Sequence, residues 1–320
     1  MAAGARHATP ARPDPSRGEN ANVTTVRMLV VMFLWALCFP LITAGLELAP
    51  HLTFATLRAV LAGGALVALG VMSSRARPTG RSTWLLLGVA GIGATTLGFF
   101  GMFHAAEFVA PGTATVIANT QPLLAAALAH LVLNERVRPL GVIGLGLGFI
   151  GIVVIAGGGV ASQGGDDDLR GIAYIVLAAL GITVSNVVLR RLAGVVDPVM
   201  AIGAQLLLGA IPLAAISAVT ESPSDITWSV TFILSLLGLA LPGTALAYWL
   251  WLTVLETTPL NRANAFSFLV PAFGITLGIA FYGEDLTVPT TVGMVITVAG
   301  IVAVNRSHHP PTTAANGSSA

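Results

Sequence analysis

The chain has 320 residues, 55% of them hydrophobic and only 9% charged, with a mean hydropathy of +0.86. A soluble domain carries about 25% charged residues, so this composition excludes an ordinary water-soluble fold and points to a bilayer. The net charge is +1 and all 15 basic side chains are arginine. No basic patch with interleaved aromatics lies outside the apolar segments, which argues against a nucleic-acid partner.

In chain order, residues 1–24 are rich in Ala, Arg, Pro, Gly and Asn and read as a disordered N-terminal arm. The apolar run after Arg27 is about 20 residues, longer than the apolar core of a signal peptide, and predicts an uncleaved first helix. Ten such runs follow one another: 26–48, 51–72, 84–106, 112–133, 139–157, 171–189, 198–219, 228–252, 260–281 and 287–304. Each is about twice as long as a membrane strand requires and none alternates with period two, so the expected fold is an all-α integral membrane protein with ten transmembrane helices. Residues 306–320 read as a disordered tail.

Charge sets the expected orientation. With both termini cytoplasmic, 13 arginines fall in inner segments and Arg170 alone in an outer loop, while Arg58 lies inside a span. That asymmetry fits a multi-pass protein of the inner (plasma) membrane. The outer loops instead carry Glu47, Glu107, Asp166, Asp167, Asp168, Glu221, Asp225, Glu284 and Asp285.

The chain also matches itself at a separation of 149 residues: Glu107 with Glu256, Pro122 with Pro271, Glu135 with Glu284, Gly144 with Gly293, and the pair Phe99–Phe100 with Tyr248–Trp249. Each half then holds five helices, 25–157 and 170–305, joined by an acidic linker at 158–169. Five is odd, so the second half enters the membrane from the opposite side. The expected arrangement is a 5+5 inverted-topology repeat, a device of many secondary transporters.

The segments "FLWALCFP" (33–40), "TFATLRAVLAGG" (53–64), "PGTATVIANTQPLL" (111–124) and "LNRANAFSFLVPAF" (260–273), in this order and duplication, resemble the EamA-type branch of the drug/metabolite transporter superfamily. The resemblance covers nearly the whole chain. It implies a secondary active transporter that exports or exchanges amino acids, related metabolites or small toxic compounds by alternating access. An integral-membrane enzyme or flippase acting on lipid-linked substrates is the alternative reading. It would need paired intramembrane acids or a metal triad, and neither is seen. HExxH, GxSxG and GxxxxGK[ST] are missing as well. No cofactor or metal is expected. The expected partners are a small-molecule substrate and the lipid bilayer, and a homodimer is left open.

Candidate substrate-binding residues are Trp35, Arg58, Phe99, Phe100, Asn119, Gln121, Asn186, Tyr248, Trp249 and Asn264, with helix kinks at Pro122 and Pro271. Arg58 stands about 10 Å below the outer end of the second helix, at 1.5 Å per residue. It either meets an anionic group such as a substrate carboxylate, or snorkels outward or bonds helix-end carbonyls. Its counterpart in the second half is Gln205. Each proline frees the carbonyl four residues back, and matched kinks in two halves point to a central site. Buried amides can instead glue helices together, and Trp or Tyr near an interface can be an anchor. Glu135 and Glu284 read as caps of the next helix or partners of a nearby Arg. His104 and His130 can titrate or simply pack. Cys38 reads as a buried, inert thiol, and Gly141, Gly144, Gly148 and Gly151 as a close-packing helix face.

Overall fold

In hydrocarbon the backbone has no water to bond, so long apolar runs satisfy it internally as helices. The computed structural model describes residues 15–119, 139–159, 165–257, 266 and 269–307, and these form helices and turns with no strand among them. Helix α1 (Pro15–Ala36) passes through a break at Leu37 into α2 (Cys38–Leu46). Pro40 explains the break, because it has no N–H for the carbonyl of Ala36. Next come α3 (His51–Met72) and α4 (Arg81–Gly91), the π-helical turn π1 (Ile92–Leu97), α5 (Gly98–Ala105) and α6 (Pro111–Ala118). The chain continues with α7 (Pro139–Gly159), α8 (Gly165–Leu192), α9 (Pro198–Thr220) and α10 (Val230–Ala240). A second π-helical turn, π2 (Leu241–Leu246), leads into α11 (Ala247–Thr257), followed by α12 (Leu269–Tyr282) and α13 (Val288–Ser307).

Among the described residues, six runs are long and apolar enough to cross a membrane: Asn22–Leu46, His51–Met72, Arg81–Ala105, Leu169–Leu189, Pro198–Thr220 and Val230–Val254. Pro139–Gly151, Leu269–Tyr282 and Val288–Ala303 are shorter apolar helices. Large side chains such as Phe149, Phe281 and Val219 face outward, while Ala55, Ala59 and Ala62 are buried. That inside-out distribution suits a lipid surround. The protein is therefore an all-α, multi-pass membrane protein.

The edges differ from the sequence reading. Helix α1 starts at Pro15, inside the arm expected to be disordered, because no further proline interrupts the chain before the apolar run. The expected linker 158–169 is entered by α7 at one side and by α8 at the other. Gln121, Pro122, His130, Glu135 and Asn264 lie outside the described residues, as do parts of the expected spans 112–133 and 260–281.

Helices from the two halves of the chain pair extensively: α3 with α9, α7 with α13, α6 with α12, α4 and α5 with α8, and α1 and α2 with α11 and α10. Shifting every member by half a chain returns the same pairs. The α3–α9 pair is antiparallel, and both ends show it. Glu221, just past α9, accepts hydrogen bonds from the N–H groups of Leu52 and Thr53 at the start of α3, at 2.9 and 2.8 Å. At the other end, Arg75 beyond α3 bonds Asp197, the N-cap of α9, at 3.0 Å. The bundle thus has an acidic end, with Glu107, Glu221 and Glu284, and an arginine end, with Arg75, Arg77 and Arg81.

Candidate functional site

The two π-turns are the structural form of the repeat. Gly98 N–H bonds Gly93 O, and Ala247 N–H bonds Pro242 O, five residues back in each case and 149 residues apart. A π-turn widens a helix and often marks a functional position. In π2, Pro242 lacks a donor, and the Thr244 hydroxyl bonds the carbonyl of Leu239 at 2.8 Å.

Arg58 meets that turn. Its Nε donates to Thr244 Oγ1 at 3.1 Å, and its Nη2 donates to Cys38 Sγ at 3.5 Å. The guanidinium carbon stands 4.3 Å from the centre of the Phe99 ring and 5.9 Å from that of Phe103. Arg58 is 4% exposed, so it neither snorkels nor reaches a helix end. Helices α2, α3, α5 and α10 close over it too completely for the long side chain to reach water.

The second half repeats this arrangement with neutral side chains. Gln205 Oε1 accepts from Ser185 Oγ at 3.0 Å, and Thr95 Oγ1 donates to the carbonyl of Gln205 at 3.5 Å. Ser185 and Gln205 each follow Cys38 and Arg58 by 147 residues, and Thr244 follows Thr95 by 149. Two polar trios therefore occupy mirrored places: Arg58–Cys38–Thr244 and Gln205–Ser185–Thr95. Sequence reading takes Cys38 as an inert thiol and passes over Thr95, Ser185 and Thr244. A small hydroxyl or thiol in an apolar run carries no periodic signal, though the matched threonines were a usable one.

Of the other candidates, Tyr248 lies within electrostatic reach of Arg58, and Trp35 joins it edge-on at 6.2 Å between ring centres. Trp35 also packs against Trp251, at 5.4 Å. Phe99 and Phe100 sit side by side on α5, but only Phe99 faces Arg58. Phe100 stacks on His104 at 4.2 Å, nearer the acidic end. Trp249 is half-buried against the same core as Tyr248. Asn119 ends α6 and donates to the Thr115 carbonyl at 2.8 Å. Asn186 is exposed on α8, one residue past the buried Ser185. Pro271 stands in the first described turn of α12.

A second polar group occupies the acidic end. His51 Nε2 is 2.7 Å from Glu107, and the His51 and His104 rings stack at 5.1 Å. Glu284 caps a helix of the other half rather than the next one: it accepts from Gly112 N–H and from the Thr113 N–H and hydroxyl, at 2.9, 3.1 and 2.7 Å. The packing of α12 against α6 brings that start within reach. Among the described residues no cluster of His, Cys, Asp or Glu could hold a metal ion.

Residues 25–157 match the EamA-like transporter family, and residues 169–306 match it again. The chain belongs to that family. Among EamA relatives, an uncharacterized transporter of Bacillus subtilis, YvbV, is 28% identical, covering 92% of this chain and 95% of its own. A protein of Salmonella typhimurium named a probable amino-acid metabolite efflux pump is 30% identical, over 85% of this chain and 91% of that one. One crystal structure, described only as that of a protein, shares the fold with a TM-score of 0.61 at 20% identity, covering 88% of this chain and 96% of that one. This EamA chain is thus a membrane transporter by family, and transporter relatives imply a small-molecule substrate.

Proposed function

We propose that the chain is a secondary active transporter of the plasma membrane that exports or exchanges small solutes, such as amino acids, related metabolites or small toxic compounds, by alternating access. The observation that carries this reading is the mirrored pair of π-turns, each holding a polar trio against a helix of the opposite half. Two structurally equivalent halves facing opposite ways offer two arrangements of nearly equal energy, which is what alternating access needs. In this reading ten helices form a 5+5 inverted repeat of residues 25–157 and 170–305, and both termini lie in the cytoplasm. One central chamber is lined from Trp35, Arg58, Phe99, Phe100, Asn119, Gln121, Asn186, Tyr248, Trp249 and Asn264, with Pro122 and Pro271 kinking two helices around it. The relative named as an amino-acid metabolite efflux pump supports amino acids as first solutes to test.

The test is counterflow. Proteoliposomes holding the purified chain and loaded with one amino acid or metabolite at millimolar concentration should accumulate the labelled form of that solute, above protein-free vesicles. Accumulation of none of them would sink the reading.

A further inference from the structure

Helix α2 is the outer half of the first span, and other helices close around it. It touches α3, α5, α6, α10 and α12. Phe39 joins the buried cluster of α5, α6 and α8, while Ile42 joins that of α3, α9 and α10. Cys38, the first residue of α2, accepts from Arg58, and just past its far end the Leu48 carbonyl accepts from the Thr227 N–H at 2.7 Å. The segment therefore stands between the level of Arg58 and the acidic end, and fills the bundle there. Two features set it apart. Its hydrogen-bond ladder is cut from that of α1 at Pro40, which has no N–H for the Ala36 carbonyl, and a proline break of this kind lets a helix bend. The break lies against the widened turn π2, where the Cys38 thiol stands 3.7 Å from the Gly243 carbonyl. The second feature is a hydroxyl on another helix. Tyr282, on the last turn of α12, donates to the carbonyl of Pro40 itself, using a lone pair that the helix leaves over. Neither feature has a counterpart in the second half. Val187 stands 147 residues after Pro40, and α8 runs through it unbroken, while Leu133 stands 149 residues before Tyr282.

We propose that α2 is the outer gate of the transporter, hinged at Pro40 and latched shut by the Tyr282 hydroxyl. When the latch lets go, α2 swings on the Pro40 break while α1 stays in place, and the level of Cys38 and Arg58 opens toward the acidic end. A single hydrogen bond of ordinary strength shifts an equilibrium about fivefold. That is enough to favour the closed form and little enough to be undone in every transport cycle. The inner gate lacks both the proline and the tyrosine, so it opens by a different movement, and the two gates of the repeat are unequal. The inference rests on the transporter reading and names the moving part on one side of it.

Cys38 is the chain's single cysteine and lies at the inner end of α2, so its reaction with a membrane-impermeant maleimide reads the gate. Right-side-out vesicles holding the full chain present its outer face, and inside-out vesicles its inner face. Tyr282→Phe keeps the ring and removes the donor. Labelling from the outer face should then rise about threefold or more, and labelling from the inner face should not rise. Pro40→Ala returns an N–H to the Ala36 carbonyl and joins α1 and α2 into one helix. Labelling from the outer face should then fall about threefold or more. An unchanged outer rate in Tyr282→Phe would overturn the proposal. So would an equal rise from both faces, which is what a loosened fold gives, and so would an outer rate in Pro40→Ala at or above that of the unaltered chain. The variants act on latch and hinge separately, so one decides where the other fails to fold. Labelling needs no solute, which separates this inference from its parent. Counterflow by a chain whose labelling rates do not change leaves the transporter standing and removes the gate. Rates that change as expected, with counterflow of no solute, sustain the hinged α2 and remove the transporter.

Discussion

Glu221 stands one residue beyond α9, yet its partners are at the start of α3. It accepts the N–H of Leu52, the N–H and hydroxyl of Thr53, and the hydroxyl of Ser217. Partial burial pushes its pKa up, but these four hydrogen bonds outweigh that and hold it below the ordinary carboxylate value of 4.5. A carboxylate whose pKa is depressed by folding contributes stability above its unfolded value, and that contribution fades as pH falls through the lower folded one. Glu221→Ala should therefore cost about 1 kcal/mol at neutral pH, the usual cost of losing a helix cap. The gap to the unaltered chain should close as pH drops below 4.5. Thermal unfolding in detergent across pH 7 to 3 measures both. A gap that stays constant would mean that the carboxylate's charge contributes nothing. Cys38 teaches a related lesson at the same scale. A thiol in an apolar run looks inert in the sequence, and only the fold shows it accepting a hydrogen bond from Arg58 across 20 positions of chain.

At the scale of elements, α7 and α13 meet through glycine. A Cβ on Gly151 would stand 2.7 Å from the Gly293 carbonyl, and one on Gly300 would stand 2.7 Å from that of Gly144. These contacts exchange under the 149-residue shift, so the seam is its own mirror image. Gly151→Val would meet the Thr297 hydroxyl as well as the backbone of Gly293 and Thr297, and backbone cannot turn aside as a side chain can, so overpacking of this kind costs about 1–3 kcal/mol. Gly146, on the same helix, has nothing within 4 Å of an added Cβ, so Gly146→Ala should be neutral or slightly stabilising. Unfolding temperatures of the two variants, measured together, decide whether the seam or mere glycine content matters. The small-residue spacing of this helix was legible in the sequence, because a close approach leaves a pattern of missing side chains. The π-turns were not legible. Their residues, "IGATTL" and "LPGTAL", keep ordinary helical hydrophobicity, and a one-residue widening of the hydrogen-bond ladder alters no periodicity. The break before Pro40 could have been read from that proline, but the apolar run continues through it and masks the stop.

At the scale of the whole molecule, the helical, membrane-spanning character followed from composition and run length, because the solvent imposes both. The candidate site was legible in part. Arg58 stood out as a charge in an apolar segment, but its partners lie on helices 20 and 186 positions away, and no local pattern reports such meetings. Orientation is the remaining global property, and charge decides it. The antiparallel α3–α9 pair fixes which helix ends lie together, with Arg75, Arg77 and Arg81 at one end and Glu107, Glu221 and Glu284 at the other. Segments rich in arginine stay on the cytoplasmic side during insertion, so the arginine end should be cytoplasmic. A reporter active only in the periplasm, inserted between Ser222 and Asp225, should then be active. The same reporter placed between Arg75 and Gly80 should be silent, and one that glows only in the cytoplasm should show the reverse. Neutralising Arg75, Arg77 and Arg81 together should raise the fraction of molecules inserted the wrong way round, because it removes three of the charges that hold this end inside. A periplasmic signal from the 75–80 turn of the unaltered chain would invert the orientation. Signals of the same sign at both ends would contradict the antiparallel pair itself.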